Sequence, residues 1–204
     1  MDQAVTEVLA EYERRMAAES QLTQSLDPSQ FSARRNEFLL PVGPDTAQLL
    51  HTLIRSAKSR SILELGTSYG YSTLWLADAA RHTGGKVVSL ELSGDKALYA
   101  RAALARAGVA DRVDIQVGNA LETLPRAQGP FDFVLIDLWK DLYVACLDLV
   151  YPKLAPGAFV VADNMIQPEQ VRADAARYQR RIRELEFDTV SLPIGSGIEV
   201  SCRR

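Results

Sequence analysis

The chain has 204 residues, 47% of them hydrophobic and 24% charged, with a formal net charge of −3. This balance fits one folded domain with a small appendage and excludes a disordered chain, and the missing basic surplus argues against a nucleic-acid partner. No apolar run approaches the roughly 20 residues that span a bilayer, and the first residues lack the basic and apolar stretches of a secretory signal. Two separated cysteines, Cys146 and Cys202, make no disulfide framework, so a cytoplasmic protein with no membrane partner is expected. With only His51 and His82 as histidines, far from each other in sequence, a zinc site is not expected. A bound metal would need mainly oxygen ligands.

In chain order, Val5, Val8, Leu9, Tyr12 and Met16 recur at helical spacing and form one apolar stripe. Residues 1–40 read as a helical extension, and residues 41–204 as the main domain. The stripe finds no obvious place in that domain's core, so it is expected to pair two copies into a homodimer or to lie over a binding site. A Ser/Gln-rich bridge with Pro28 follows, then a Pro/Gly-punctuated loop over 39–44. Asp45 or Thr46 is expected to cap a helix running to about Ala57.

From Ser61 a regular alternation begins. Strands are expected at 62–65, 87–92, 113–117, 131–136 and 158–162, and helices at 72–80, 95–107, 142–154 and 169–185. The stretch 131–136 is nearly all apolar, as a strand covered on both faces requires. Two further strands, 187–192 and 198–203, are joined by a link too short for a crossover helix and form an antiparallel hairpin. The fold class is therefore α/β: a doubly wound, Rossmann-like sheet of five parallel strands plus the hairpin, seven strands in all. Ligands of such sheets sit beyond the carboxyl ends of the parallel strands.

The first strand runs into Glu64-Leu65-Gly66-Thr67-Ser68-Tyr69-Gly70-Tyr71-Ser72. Ser68 and Tyr71 break the dinucleotide fingerprint G-x-G-x-x-G, which leaves E-x-G-x-x-x-G. Gly66 and Gly70 permit close backbone approach, and the helix opening at Ser72 offers N–H groups to a carboxylate; a generic glycine-rich turn is the plainer alternative. Glu91 ends the second strand and can bind a ribose diol, or it is a solvated surface charge. Gly118-Asn119-Ala120 ends the third, where the Asn119 carbonyl can accept from an adenine amine or cap a helix. A ligand with a carboxylate, a ribose diol and an adenine but no phosphate is S-adenosylmethionine. Strand four ends in Asp137-Leu138-Trp139-Lys140 and strand five in Asp163-Asn164. As neighbours, these ends bring Asp137, Asp163 and Asn164 together, an oxygen set suited to Mg²⁺; alternatively Asp163 caps the next segment and Asp137 only holds the cofactor. Trp139 can pack on an adenine face or in the core. Lys140, one turn past Asp137, can act as a general base or stand solvated. Glu199 points to the opposite face from Ile198, Val200 and Cys202. Beside strand five it stands near a substrate; otherwise it is a surface charge.

The stretch 64–72, together with Asp137-Leu138-Trp139-Lys140-Asp141-Leu142-Tyr143 and Val161-Ala162-Asp163-Asn164, resembles the cation-dependent class I catechol and caffeoyl-CoA O-methyltransferases, in their bacterial branch. The resemblance runs from about Leu39 to the C-terminus. It implies that Val42, Glu64, Gly66, Gly70 and Ser72 hold the methionine part of S-adenosylmethionine. Glu91 holds the ribose, with Asn119, Ala120 and Trp139 around the adenine. Asp137, Asp163 and Asn164 bind Mg²⁺ or another divalent cation, Lys140 is the base, and Glu199 holds a hydroxyl of a small catechol-like substrate. Asn119 stands where bacterial relatives usually carry Asp. The longer aromatic insertion of the plant enzymes after Asn164 is missing, which bears on the acceptor more than on the reaction. A metal-independent methyltransferase would not need Asp163 and Asn164 together. A non-catalytic S-adenosylmethionine-binding protein also fits the fold, since fold does not fix function.

Overall fold

The computed structural model describes residues 1–204, apart from the side chain of residue 28. Three helices come first: α1 (Gln3–Gln24), α2 (Pro28–Arg34) and α3 (Pro44–Ala57). The alternation follows as β1 (Ser61–Leu65), α4 (Tyr71–Thr83), β2 (Lys86–Glu91), α5 (Gly94–Arg106), β3 (Val113–Val117), α6 (Ala120–Thr123), β4 (Phe131–Ile136), α7 (Tyr143–Val150), β5 (Leu154–Ala162) and α8 (Arg172–Glu184). The hairpin is β6 (Phe187–Leu192) and β7 (Ile198–Arg203).

The sheet has seven strands in the order β3-β2-β1-β4-β5-β7-β6. Strands β1 to β5 are mutually parallel, while β7 runs antiparallel to both β5 and β6. The expected architecture is thus observed, with the last strand inserted beside β5. The order reverses between β1 and β4, and a doubly wound sheet opens its binding crevice at such a point. The central strands are apolar on both faces because both are covered. On one side Tyr143, Leu147 and Val150 of α7 and Tyr178 and Ile182 of α8 meet Val134, Ile136 and Val160. On the other, Leu50 and Ile54 of α3 and Leu76 and Ala80 of α4 meet Ile62, Phe133 and Val161.

Several expected boundaries move. β5 begins at Leu154, so Pro156 lies inside a strand rather than behind a helix. A proline is tolerated there because β7 pairs with β5 only over Phe159–Ala162, leaving position 156 beyond the end of its neighbour. The helix expected to 154 stops at Val150 and tightens into a 3₁₀ turn over Tyr151–Lys153. α3 begins at Pro44, with no side-chain cap from Asp45 or Thr46. The expected bridge near residue 28 contains α2, closed by a capping box in which Asp27 Oδ1 accepts from Gln30 N at 2.9 Å and Gln30 Oε1 from Asp27 N at 3.1 Å.

The largest departure concerns the α1 stripe. Val5, Val8, Leu9 and Tyr12 are buried within the chain itself, against Tyr71, Leu74 and Trp75 of α4 and Ala97, Ala100 and Leu104 of α5. The stripe, expected to pair two copies or to lie over a binding site, is covered by its own chain, with Tyr12 reaching the turn at Tyr69. Among the described residues, no helix is long and apolar enough to cross a membrane.

Candidate active site

The turn after β1 is shaped by contact with the end of β4. Gly66 has φ +106°, and a Cβ there would lie 2.0 Å from the Asp137 carbonyl oxygen, so only glycine fits. Below the turn, Glu64 is fully buried. Its Oε1 accepts from Ser72 Oγ at 2.6 Å, and its Oε2 accepts from Thr73 Oγ1 at 2.6 Å and Ser89 Oγ at 2.5 Å. Burial pushes the Glu64 carboxyl up to about 7, against the three hydroxyl donors that favour its charged form. Glu64 therefore fixes the first turn of α4 from beneath, and any hold it has on a ligand is through Ser72 and Thr73. Gly70 packs on Ala100 of α5.

Glu91, at the end of β2, reaches back to the same turn. Its Oε2 accepts from Ser68 N at 2.7 Å and its Oε1 from Ser93 N at 2.8 Å. Each oxygen keeps a lone pair for a further donor. The N-terminal segment closes over the turn: Ser68 Oγ donates to Leu39 O at 3.1 Å, Tyr12 Oη to Tyr69 O at 2.6 Å and Tyr69 Oη to Asn36 O at 3.0 Å. A narrow cleft results, with Leu39, Val42, Gly66, Ser68, Ser72 and Asp137 on its walls. Four of the residues expected to hold a cofactor (Val42, Gly66, Ser72 and Asp137) thus meet in one cleft.

At the expected adenine end, Asn119 caps α6, its Oδ1 accepting from Leu121 N at 2.9 Å, as the helix-cap alternative expects. Ala120 is the first residue of that helix. Trp139 is 43% exposed rather than core, and the Arg35 guanidinium lies 4.1 Å from its ring centroid. One ring face already carries a cation–π partner supplied by the segment before Leu39.

At the ends of β4 and β5 the backbone aligns two acids. Asp137 N donates to Leu65 O at 2.9 Å and Asp163 N to Ile136 O at 3.1 Å. Asp163 is 1% exposed and its Oδ1 has no hydrogen-bond partner. Burial, then the Asp137 charge, pushes its carboxyl up to about 7. Burial likewise raises Asp137, against the pull of Lys140. Asn164 follows in the left-handed region at φ +54°. Two carboxylates crowded out of water, one with an orphaned oxygen, and an adjacent amide form a donor set that a hard divalent cation satisfies.

Lys140 Nζ lies 3.4 Å from Asp137 Oδ1 and 3.2 Å from Leu138 O, and it donates to Tyr143 Oη. The Tyr143 hydroxyl donates in turn to Asp163 O at 3.2 Å. Burial, then the charges of Asp137 and Asp163, holds this phenol far above its ordinary range, so it stays protonated. Tyr143 therefore joins the lysine of one strand end to the acid of the other. Sequence reading assigned it no such role, although its place three residues after Lys140 puts both on one helical edge.

Glu199 is neither a surface charge nor free of partners. It is fully buried opposite Ala162, and its oxygens accept from Thr189 Oγ1 at 2.7 Å, Gln179 Nε2 at 2.9 Å, Ser191 Oγ and Arg183 at 3.4 Å. The alternation along β7 turns this side chain toward α8 and β6, where four donors occupy it. The hairpin acts on the site through its tip. Met165 N donates to Gly197 O at 2.8 Å, and Ile166 N and Gln167 N both donate to Ser196 O at 3.0 Å. Gly197 has φ +86°, and a Cβ there would come within 2.4 Å of Ile166 Cγ1. The loop carrying Asn164 is thus held in place by the backbone of residues 196–197.

Residues 63–165, from Glu64 to just past Asn164 among the site residues, match the family model described as a methyltransferase domain. The chain belongs to this family. A catechol O-methyltransferase of Mycobacterium tuberculosis is 42% identical over 137 residues, covering 67% of this chain and 62% of that protein. A catechol O-methyltransferase of Niastella koreensis is 35% identical over 136 residues, covering 65% and 61%. The chain thus spans about three fifths of the length of these relatives. The crystal structure of an O-methyltransferase from Bacillus cereus in complex with SAH aligns with a TM-score of 0.78 at 28% identity, covering 100% of this chain and 92% of that one. The matched stretch contains Gly66, Ser68 and Ser72 of the cleft and both acids, whereas Leu39 and Val42 on its other wall, and the hairpin, lie outside it.

Proposed function

We propose that the protein transfers a methyl group from S-adenosylmethionine to one hydroxyl of a small aromatic vicinal diol, with the help of a divalent cation, Mg²⁺ being the natural fit to the oxygen donors. The observation that carries this reading is Asp163, buried beside Asp137 with an oxygen that no group of the chain satisfies, next to the cleft and to Lys140. The names of the relatives and the SAH complex of the Bacillus cereus protein support it. The two cysteines are both free, and we assign a reducing, cytoplasmic setting.

The donor supplies an electrophilic methyl group that needs no activation. Asp137, Asp163 and Asn164 would hold the cation, which when bound would supply Lewis acidity toward a nearby hydroxyl. The chain does the rest. Gly66 and Ser68 shape the turn against which the methionine part rests, and Glu91 offers its free lone pairs to the ribose. In its neutral amine form Lys140 Nζ takes the acceptor's proton, and Tyr143 Oη fixes that nitrogen in place. Leu39 and Val42 shield the cleft from water, so that holding the partners in line supplies the remaining acceleration.

The test uses Asp163, whose hydrogen bonds run to Ile136 and Tyr143 rather than to the cofactor turn. Asp163→Ala abolishes methylation of catechol while calorimetry shows S-adenosylmethionine affinity nearly intact. EDTA does the same to the unaltered protein, and Mg²⁺ restores the rate. Full activity after EDTA treatment would make the protein a metal-independent methyltransferase.

A further inference from the structure

Far from the cleft, the packing of α3 on α4 brings three ligand-type side chains together. His51 of α3 and Asp78 of α4 are buried, and His82 stands one turn beyond Asp78 with its side chain 40% exposed. His51 Nε2 lies 2.9 Å from Asp78 Oδ2, and His82 Nε2 lies 3.7 Å from the same oxygen. The three donor atoms all fall within 4.8 Å of one another. A tetrahedral zinc with bonds of about 2.0–2.1 Å holds its ligands about 3.3–3.4 Å apart. The two edges to Asp78 straddle that spacing, and the third, between the two histidines, is at most 4.8 Å.

The surroundings supply what a metal site needs. The other carboxylate oxygen, Asp78 Oδ1, accepts from Arg81, whose guanidinium also binds Asp2. An outer partner of this kind orients a ligating carboxylate, and Asp2 offsets part of the charge that Arg81 sets against a cation. A solvent-open hollow of about 570 Å³, lined by Gln48, His51, Thr52 and Arg55, borders His51, and the half-exposed His82 is itself reached by water. Two imidazoles and one carboxylate suit zinc or a similar late first-row ion rather than magnesium.

We propose that His51, Asp78 and His82 form a second metal site, for Zn²⁺ or a like ion with water as fourth ligand, which staples α3 to α4. The two histidines are separated in sequence, which is why no zinc site is expected from it, and the fold removes that separation. No part of the methyl-transfer reading uses these residues, so the two stand or fall separately.

Cobalt(II) is the probe, because a tetrahedral site gives it intense visible absorption. The titration uses the full chain carrying Asp163→Ala, which disables the carboxylate pair at the cleft. One equivalent of Co²⁺ is expected to bind with a tetrahedral spectrum that excess Mg²⁺ leaves unchanged. Adding His82→Ala, a change at a half-exposed position that the fold tolerates, weakens Co²⁺ binding by roughly tenfold or more, since outer partners alone are worth that much. Zn²⁺ raises the thermal midpoint of the unaltered protein but not that of His82→Ala. Absence of the tetrahedral spectrum, or its persistence unchanged in His82→Ala, overturns the proposal.

Discussion

Tyr143 takes no part in binding the methyl donor, yet its hydroxyl joins the two groups on which methyl transfer rests, accepting from Lys140 and donating to the Asp163 carbonyl. Tyr143→Phe keeps the ring that packs on Tyr178 and removes only this bridge. The expected result is a kcat lower by roughly tenfold, the worth of one hydrogen bond to a charged group. Calorimetry is expected to show unchanged S-adenosylmethionine affinity. An unchanged kcat would reduce Tyr143 to packing. At this scale the sequence is legible where spacing alone decides the outcome. Asp137, Lys140 and Asp163 are named correctly as neighbours because they end adjacent strands. Glu199 is misread because alternation along a strand assigns a side chain to a face without saying what covers that face, and here α8 and β6 supply four donors. The partners of Glu64 are not legible for a related reason: Ser89, one of the three, comes from a different strand 25 residues on.

Among the elements, the β6–β7 hairpin has the most indirect influence. Its tip carries no ligand, but its carbonyls at Ser196 and Gly197 receive the N–H groups of residues 165–167, directly after Asn164. Gly197→Ala drives a methyl into Ile166 and displaces that loop. The Mg²⁺ concentration giving half-maximal rate is then expected to rise roughly tenfold, the scale of outer-shell changes in metal sites. S-adenosylmethionine affinity, set on the other side of the crevice, is expected to hold. A Mg²⁺ titration of initial rates beside calorimetry of the donor separates these outcomes. The elements themselves are largely legible, since period and apolar content identify every strand of the sheet. The misplaced start of β5 comes from reading Pro156-Gly157 as a stop, although a proline is acceptable where a strand overruns its neighbour. α2 is missed although Asp27 and Gln30 carry its capping signal three residues apart.

For the whole molecule, the α1 stripe decides what kind of body the chain is. Its apolar side chains complete a cluster with α4 and α5. Val8→Asp therefore places an unpaired charge in that cluster and destabilises the fold, by roughly 3 kcal/mol or more. The thermal midpoint is expected to fall by the same amount at every protein concentration, because the lost contacts lie within one chain. A drop that grows on dilution would restore the dimer reading of the stripe. Periodicity shows that the stripe must be covered but cannot say by what, since the covering surface on α4 and α5 is not assembled until the sheet forms. This has a consequence for the chain while it is being made. α1 leaves the ribosome long before its partners, which end at Arg106. At about 5–20 residues per second, the stripe waits roughly 4–16 s with nothing of its own to rest on. The surface that finally caps the cofactor turn is therefore also the one most dependent on chaperone shelter during synthesis, and slow translation between residues 25 and 106 prolongs that exposure.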